Sequence, residues 1–157
     1  MSGGAFWAWS LATYARPGVA EACLALQDRH GLDVNRLLLA HWLAGCGRVL
    51  PDPAGPVSAF AEGWQREVVG PLRAVRRALK GSPLAGAPAL RQAVKEAELE
   101  AERLEQAELE RLAASAGPAD GSRAQLVDRN LQALGIVADA GALGRLADAI
   151  GSAADRK

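Results

Sequence analysis

The chain has 157 residues, 18 Lys plus Arg against 18 Asp plus Glu, and so a formal net charge of zero. That length fits one compact domain with a real core, and the balanced charge lacks the basic excess of a polyanion-binding protein. Half of the residues are hydrophobic but only 4% are aromatic; the excess is Ala and Leu, strong helix formers, which predicts an all-α protein.

The first predicted helix runs from about Ala5 to Ala15, with Trp7, Leu11 and Tyr14 recurring at i, i+4 and i+7 as its apolar stripe. Pro17 suits the first turn of the next helix. That helix carries Val19, Cys23 and Leu26 on one side and ends near His30, with Gly31 as the left-handed residue beyond it. Asp33 is the natural N-cap of a third helix, about 34–44, which is apolar nearly all round and therefore predicted to be central. Gly45, Gly47, Pro51, Pro53, Gly55 and Pro56 then make a loop.

A fourth helix is expected from Val57 or Ser58, with Phe60, Trp64 and Val68 on one face. Gly70-Pro71 is expected to kink or break it, because the residue before a proline is pushed out of the α region. Beyond the break, Leu72, Val75 and Leu79 form an apolar stripe beside Arg73, Arg76, Arg77 and Lys80. Gly81 to Pro88 reads as a linker. The longest helix, about 89–116, is acidic; Leu90, Val94, Ala97, Ala101 and Leu104 form a short heptad-like seam, with Lys95, Glu98, Glu102 and Glu105 on a neighbouring face. Ser122 caps a helix reaching about Leu134, stopped at Gly135, and Leu143, Leu146 and Ile150 mark a last amphipathic segment.

The polar knot Gln27, Asp28, His30, Asp33, Asn35 and Arg36 lies between two apolar helical runs. Gln27, Asp28, Asp33 and Asn35 offer oxygens to a hard cation, but their spacing is not that of an EF-hand, and helix capping accounts for Gly31 and Asp33. A hydrogen-bonded turn network is the favoured reading, with no metal and no cofactor expected. His41 falls roughly opposite Cys23 across the hairpin, an arrangement that can activate a thiol; a buried Cys packed on a core His is the simpler account. Cys23 lies eight residues before Gly31 and Cys46 fifteen after it, a mismatch on the order of 10 Å that rules out a disulfide. The Arg stripe has the spacing to pair with Glu98, Glu102 and Glu105, and secondarily to grip phosphates. Trp7, Trp42 and Trp64 sit on apolar stripes; Trp9 lies off the first stripe and is expected to be partly exposed.

These strings resemble a family of uncharacterised bacterial proteins, the domain-of-unknown-function 2390 family. The resemblance rests on FWAWSLATYARPGVAEACLALQDRHGLDVNRLLLAHWLA, WQREVVGPLRAVRRALK and VKEAELEAERLEQ, within about residues 5–107. Its recurring pattern is similar to Leu26, Gln27 and Asp28 followed by Gly31, Asp33, Val34, Asn35, Leu37 and Leu38, and to Pro71, Leu72, Arg73, Arg76 and Arg77. The resemblance implies no activity, substrate or cofactor.

The expected architecture is a single helical domain over 1–157, a bundle of six or seven helices around the apolar helix, with a C-terminal helical extension at about 122–155. The expected function is a non-catalytic binding or protein-interaction module. The alternative is a small-anion-binding protein or enzyme using Gln27, Asp28, Asp33, Asn35, Arg73, Arg76 and Arg77; a weak nucleic-acid binder is third. A solvent-open pocket with unspent hydrogen-bonding capacity would favour a ligand site. No transmembrane run, no basic leader ahead of the first apolar segment, two separated cysteines and an Arg-rich composition together point to a bacterial cytoplasm.

Overall fold

Ala and Leu carry this chain through eight α-helices among residues 4–151, the part described by the structure, a computed structural model. They are α1 (Ala5–Tyr14), α2 (Val19–His30), α3 (Val34–Gly45), α4 (Gly55–Trp64), α5 (Gly70–Leu79), α6 (Ala87–Leu112), α7 (Arg123–Ala133) and α8 (Ala140–Gly151). Two short strands, β1 (Arg48–Val49) and β2 (Gly117–Pro118), pair antiparallel with Arg48 opposite Pro118. The last residues of the expected C-terminal extension, 152–155, lie outside the described part.

The hairpin between α2 and α3 forms as its sequence dictates. Gly31 takes a left-handed φ of 61° and its N–H closes on the Gln27 carbonyl. Asp33 then caps α3, its Oδ1 accepting the Asn35 backbone N–H at 2.9 Å. Leu37, Leu38, Leu39 and Leu43 are buried on several sides of α3. Burial of each contributes roughly 1.5–3 kcal/mol, and α1, α2, α6 and α7 supply the surfaces they pack against.

The C-terminal helices close the bundle. Ser122 and Gln125 form a reciprocal capping box at the start of α7. Asn130 on α7 is fully buried; its Nδ2 donates to the carbonyls of Ala40 and Arg48, and its Oδ1 accepts from Leu50 N at 2.9 Å. The Arg48 guanidinium donates to the carbonyls of Ala113 and Ala116 just past α6, where a cation complements the helix dipole. α8 packs on α2 through Ala142, Leu146 and Ile150.

Five sequence expectations give way. Helix α1 buries Phe6, Ser10 and Thr13 rather than the Trp7, Leu11 and Tyr14 stripe, and the Phe6 ring packs on Trp42 at 5.2 Å. Gly70-Pro71 does not break the helix: the π-helical turn Gln65–Val69 joins α4 to α5, and Gly70 stays α-helical. The wider turn accommodates a proline lacking its N–H. A Cβ on Gly70 would lie 2.7 Å from the Gln65 carbonyl oxygen, so the glycine is needed there. Helix α5 buries no residue; Val75 is exposed, and the helix lies on α6 through its arginines. On α6, Leu90 and Leu104 of the expected seam are 54% and 45% exposed, whereas Glu98, Ala101, Glu105, Gln106 and Leu109 are buried. Cys46, which follows an apolar run that the sequence reads as helical, is instead exposed just beyond the end of α3.

Candidate functional site

The buried face of α6 is polar because it meets the capped end of α3 and the π-turn. Asn35 Nδ2 and Gln65 Nε2 each donate to Glu105 Oε2 at 2.8 Å. Gln65 also reaches Asp33 Oδ1 at 3.3 Å. At the next residue of α6, Gln106 Nε2 donates to Asn35 Oδ1 at 2.7 Å and to Ser10 Oγ at 2.9 Å. The first position of the π-turn thus places an amide across both carboxyl groups, a use of local helix widening to aim a side chain.

Glu105 is fully buried. Burial and the neighbouring Asp33 push its carboxyl up to about 10, so it is neutral at ordinary pH. Burial raises Asp33 as well, opposed by hydrogen bonds from Glu105 and the Asn35 backbone and by the positive charge of Arg36. The two acids therefore titrate as a pair, both raised by burial, with a proton held on Glu105.

Asp33, Asn35, Gln65, Gln106 and Ser10 form the floor of a cavity of about 180 Å³. Trp7, Leu11, Tyr14, Leu38 and Leu99 wall it, and Arg73 and Glu102 stand at its side. Leu11, Tyr14 and Leu99 are solvent-exposed, so the cavity opens outward between α1 and α6. The apolar stripe that α1 does not bury is this wall. Two shallower depressions adjoin it, and Gln27 and Arg73 line all three.

The sequence-predicted residues fall into two groups. Gln27, Asp33, Asn35 and Arg73 come together at the cavity. Asp28 and Arg77 form a solvent-exposed ion pair at 3.7 Å, and Arg76 is engaged by Glu98. The Arg stripe pairs with α6 as its spacing predicts: Arg73 reaches both Glu98 at 3.1 Å and Glu102 at 3.3 Å. Burial pushes the Glu98 carboxyl up, but hydrogen bonds from Arg76 and Arg73 outweigh it and hold the group below its ordinary value. Gln65, Gln106 and Ser10 escape the sequence reading, since a lone Gln or Ser on a helix reads as surface.

Cys23 and His41 are both buried, and burial disfavours the charged form of each. Burial pushes the Cys23 thiol up to about 12, and burial with nearby Arg123 lowers His41 to about 4. Among the described residues, no three His, Cys, Asp or Glu side chains gather to hold a metal, and no helix is long and apolar enough to cross a membrane.

Fold and site together define an all-α protein with a polar-floored, apolar-walled cleft between its first and its longest helix. The chain belongs to the family described as "Protein of unknown function (DUF2390)", which it matches over residues 5–109. All the residues of the cavity lie within that stretch. No curated protein and no solved structure matches the chain.

Proposed function

We propose that this is a non-catalytic, cytoplasmic bacterial protein that binds a small ligand in the cleft between α1 and α6. The observation that carries the reading is unspent polar capacity on buried groups of the cavity floor. Gln106 is 2% exposed and its Nε2 is doubly engaged, yet its Oε1 has no partner. A buried acceptor left unmade costs about 1–3 kcal/mol, a cost that a ligand donor relieves.

The wall supports the same reading. Exposed Leu11, Tyr14 and Leu99 give an incoming molecule apolar surface to cover, and pockets with an apolar body and a few convergent polar groups are the usual form of ligand sites. At about 180 Å³ the cavity suits a ligand smaller than the drug-sized molecules that fill ~300–1,000 Å³. Nucleic acid fits poorly, since Arg73, Arg76 and Arg77 already face carboxylates. A free anion fits poorly for the same reason.

The test is a fragment titration followed through backbone amide shifts of the whole chain. The expected result is a saturable response clustered on Leu32, Asn35, Gln65 and Leu99. Fragments that move only scattered surface amides, or none, overturn the reading.

A further inference from the structure

Helix α6 carries two different faces. Glu98, Ala101, Glu105 and Leu109 turn into the bundle. On the opposite side Leu90, Ala93, Ala97, Glu100, Leu104 and Ala107 are all exposed, Leu90 by 54% and Leu104 by 45%. They are spaced 3, 4, 3, 4 and 3 residues apart, the heptad alternation by which one helix receives another. The run spans about 26 Å at 1.5 Å per residue. One edge of it is closed: Trp64 of α4 donates to the Ala101 carbonyl at 2.9 Å. The other edge carries Glu96 and Arg103.

We infer that this face docks on a second copy of the chain, the two α6 helices running antiparallel about a two-fold axis that passes between Ala97 and Glu100. Size and charge both select that partner and direction. In this register Leu90 meets Ala107 of the second copy, Leu104 meets its Ala93, and Ala97 meets its Glu100, so each large side chain lies over a small one. A parallel pair would stack Leu on Leu and Ala on Ala, and would set the two Glu100 carboxylates in one layer as like charges. The antiparallel register also brings Glu96 of each copy beside Arg103 of the other, and the two-fold axis makes that pair twice. Both groups have capacity to spend. Among the described residues Glu96 accepts only the Gln92 amide, and Arg103 uses Nε and Nη2 on Glu100, leaving Nη1 to donate. Glu100, the polar position of the seam, stays bonded to that guanidinium, and a polar residue in a seam fixes register at a cost in stability.

The experiment is sedimentation equilibrium of the full chain from micromolar to millimolar concentration, with circular dichroism checking that each variant is folded. A single helix pair is at the small end of specific interfaces, so a reversible dimer is expected. Leu104→Glu changes an exposed position and is expected to weaken the dimer at least tenfold; Ala107→Glu, opposite Leu90, is expected to do the same from an independent site. Glu96→Arg and Arg103→Glu are each expected to weaken it several-fold, and the chain carrying both, which restores opposite charges across the seam, to recover most of the loss. A chain that stays monomeric at millimolar concentration overturns the inference. So does a dimer indifferent to both Leu104→Glu and Ala107→Glu, since its contact lies elsewhere. A dimer that those two break, but in which the double charge variant is as weak as the single ones, overturns the antiparallel register.

Discussion

Asp33 does two things at once, and its substitutions separate them. Its Oδ1 caps α3 through the Asn35 N–H and also receives Gln65 from the π-turn. Asp33→Ala loses the cap and removes one of the two acceptors of the half-buried Gln65 amide. The expected cost is about 1–2 kcal/mol in a urea melt, the range for a lost N-cap, while Asp33→Asn, which retains a capping oxygen, costs clearly less. Equal costs for the two would mean that charge rather than capping is the main contribution. The cap was legible in the sequence because Asp beside a glycine-terminated helix has a local mechanism. The second role was not, because Gln65 is 32 residues away and nothing local marks it.

At the scale of elements, helix faces were read well where burial followed hydrophobicity and wrongly where it did not. Val19, Cys23 and Leu26 of α2 and the Ser122 start of α7 stand as their patterns predict. On α6 the periodicity selected Leu90 and Leu104, yet Glu98, Glu105 and Gln106 go inside because arginines and amides await them there. A hydrophobic pattern cannot see a buried carboxylate whose partners come from other helices. The α5–α6 interface rests on these ion pairs, which yields a graded prediction. Arg76 and Glu98 are largely shielded, with side chains 24% and 9% exposed, whereas Arg77 and Asp28 are 61% and 62% exposed. Arg76→Ala strands the shielded Glu98 with Arg73 alone and is expected to cost about 1–2 kcal/mol, against less than about 0.5 kcal/mol for Arg77→Ala. Unfolding in added salt checks the assignment: the Arg76 cost persists and the Arg77 cost vanishes. Gly70→Ala tests the π-turn beside them. Its Cβ collides with the Gln65 carbonyl, and a loss of about 1–3 kcal/mol is expected from forced backbone movement. The same displacement moves Gln65 off Glu105, so the amide shifts of Gln65 and Asn35 are expected to change with it.

For the molecule as a whole, zero net charge hides an uneven response to pH, because three buried groups titrate far from their ordinary values. Glu105 rises from 4.5 to about 10, so the folded chain binds a proton that the unfolded chain releases, and stability falls as pH climbs through that window. Asp33 and Glu102, which face it from α3 and along α6, are also raised by burial and act in the same sense, with Arg73 and Arg36 opposing. His41 falls from 6.5 to about 4, so its share of stability is present above 6.5 and is lost as pH drops toward 4. Cys23 rises from 9.0 to about 12 and adds a loss only above 9. Between 4.5 and 6.5 the Glu105 and His41 slopes oppose each other and cancel, leaving a plateau. Above 6.5 His41 no longer opposes the raised carboxyls, and Glu105 by itself contributes a slope of up to about 1.4 kcal/mol per pH unit before relaxation of the site reduces it. Stability from urea melts is therefore expected to hold level between pH 5 and 6.5 and to fall by at least about 1 kcal/mol by pH 8.5. Glu105→Gln keeps an acceptor for Asn35 and Gln65 and an N–H donor for Asp33 but cannot ionise, so its stability is expected to rise across the lower range, as His41 loses its proton in the unfolded comparison, and to stay nearly flat from pH 6.5 to 8.5. A wild-type chain as stable at pH 8.5 as at 6.5, or a Glu105→Gln variant that falls in parallel with it, would show that Glu105 is ionised in the folded protein and that the acid pair does not hold its proton.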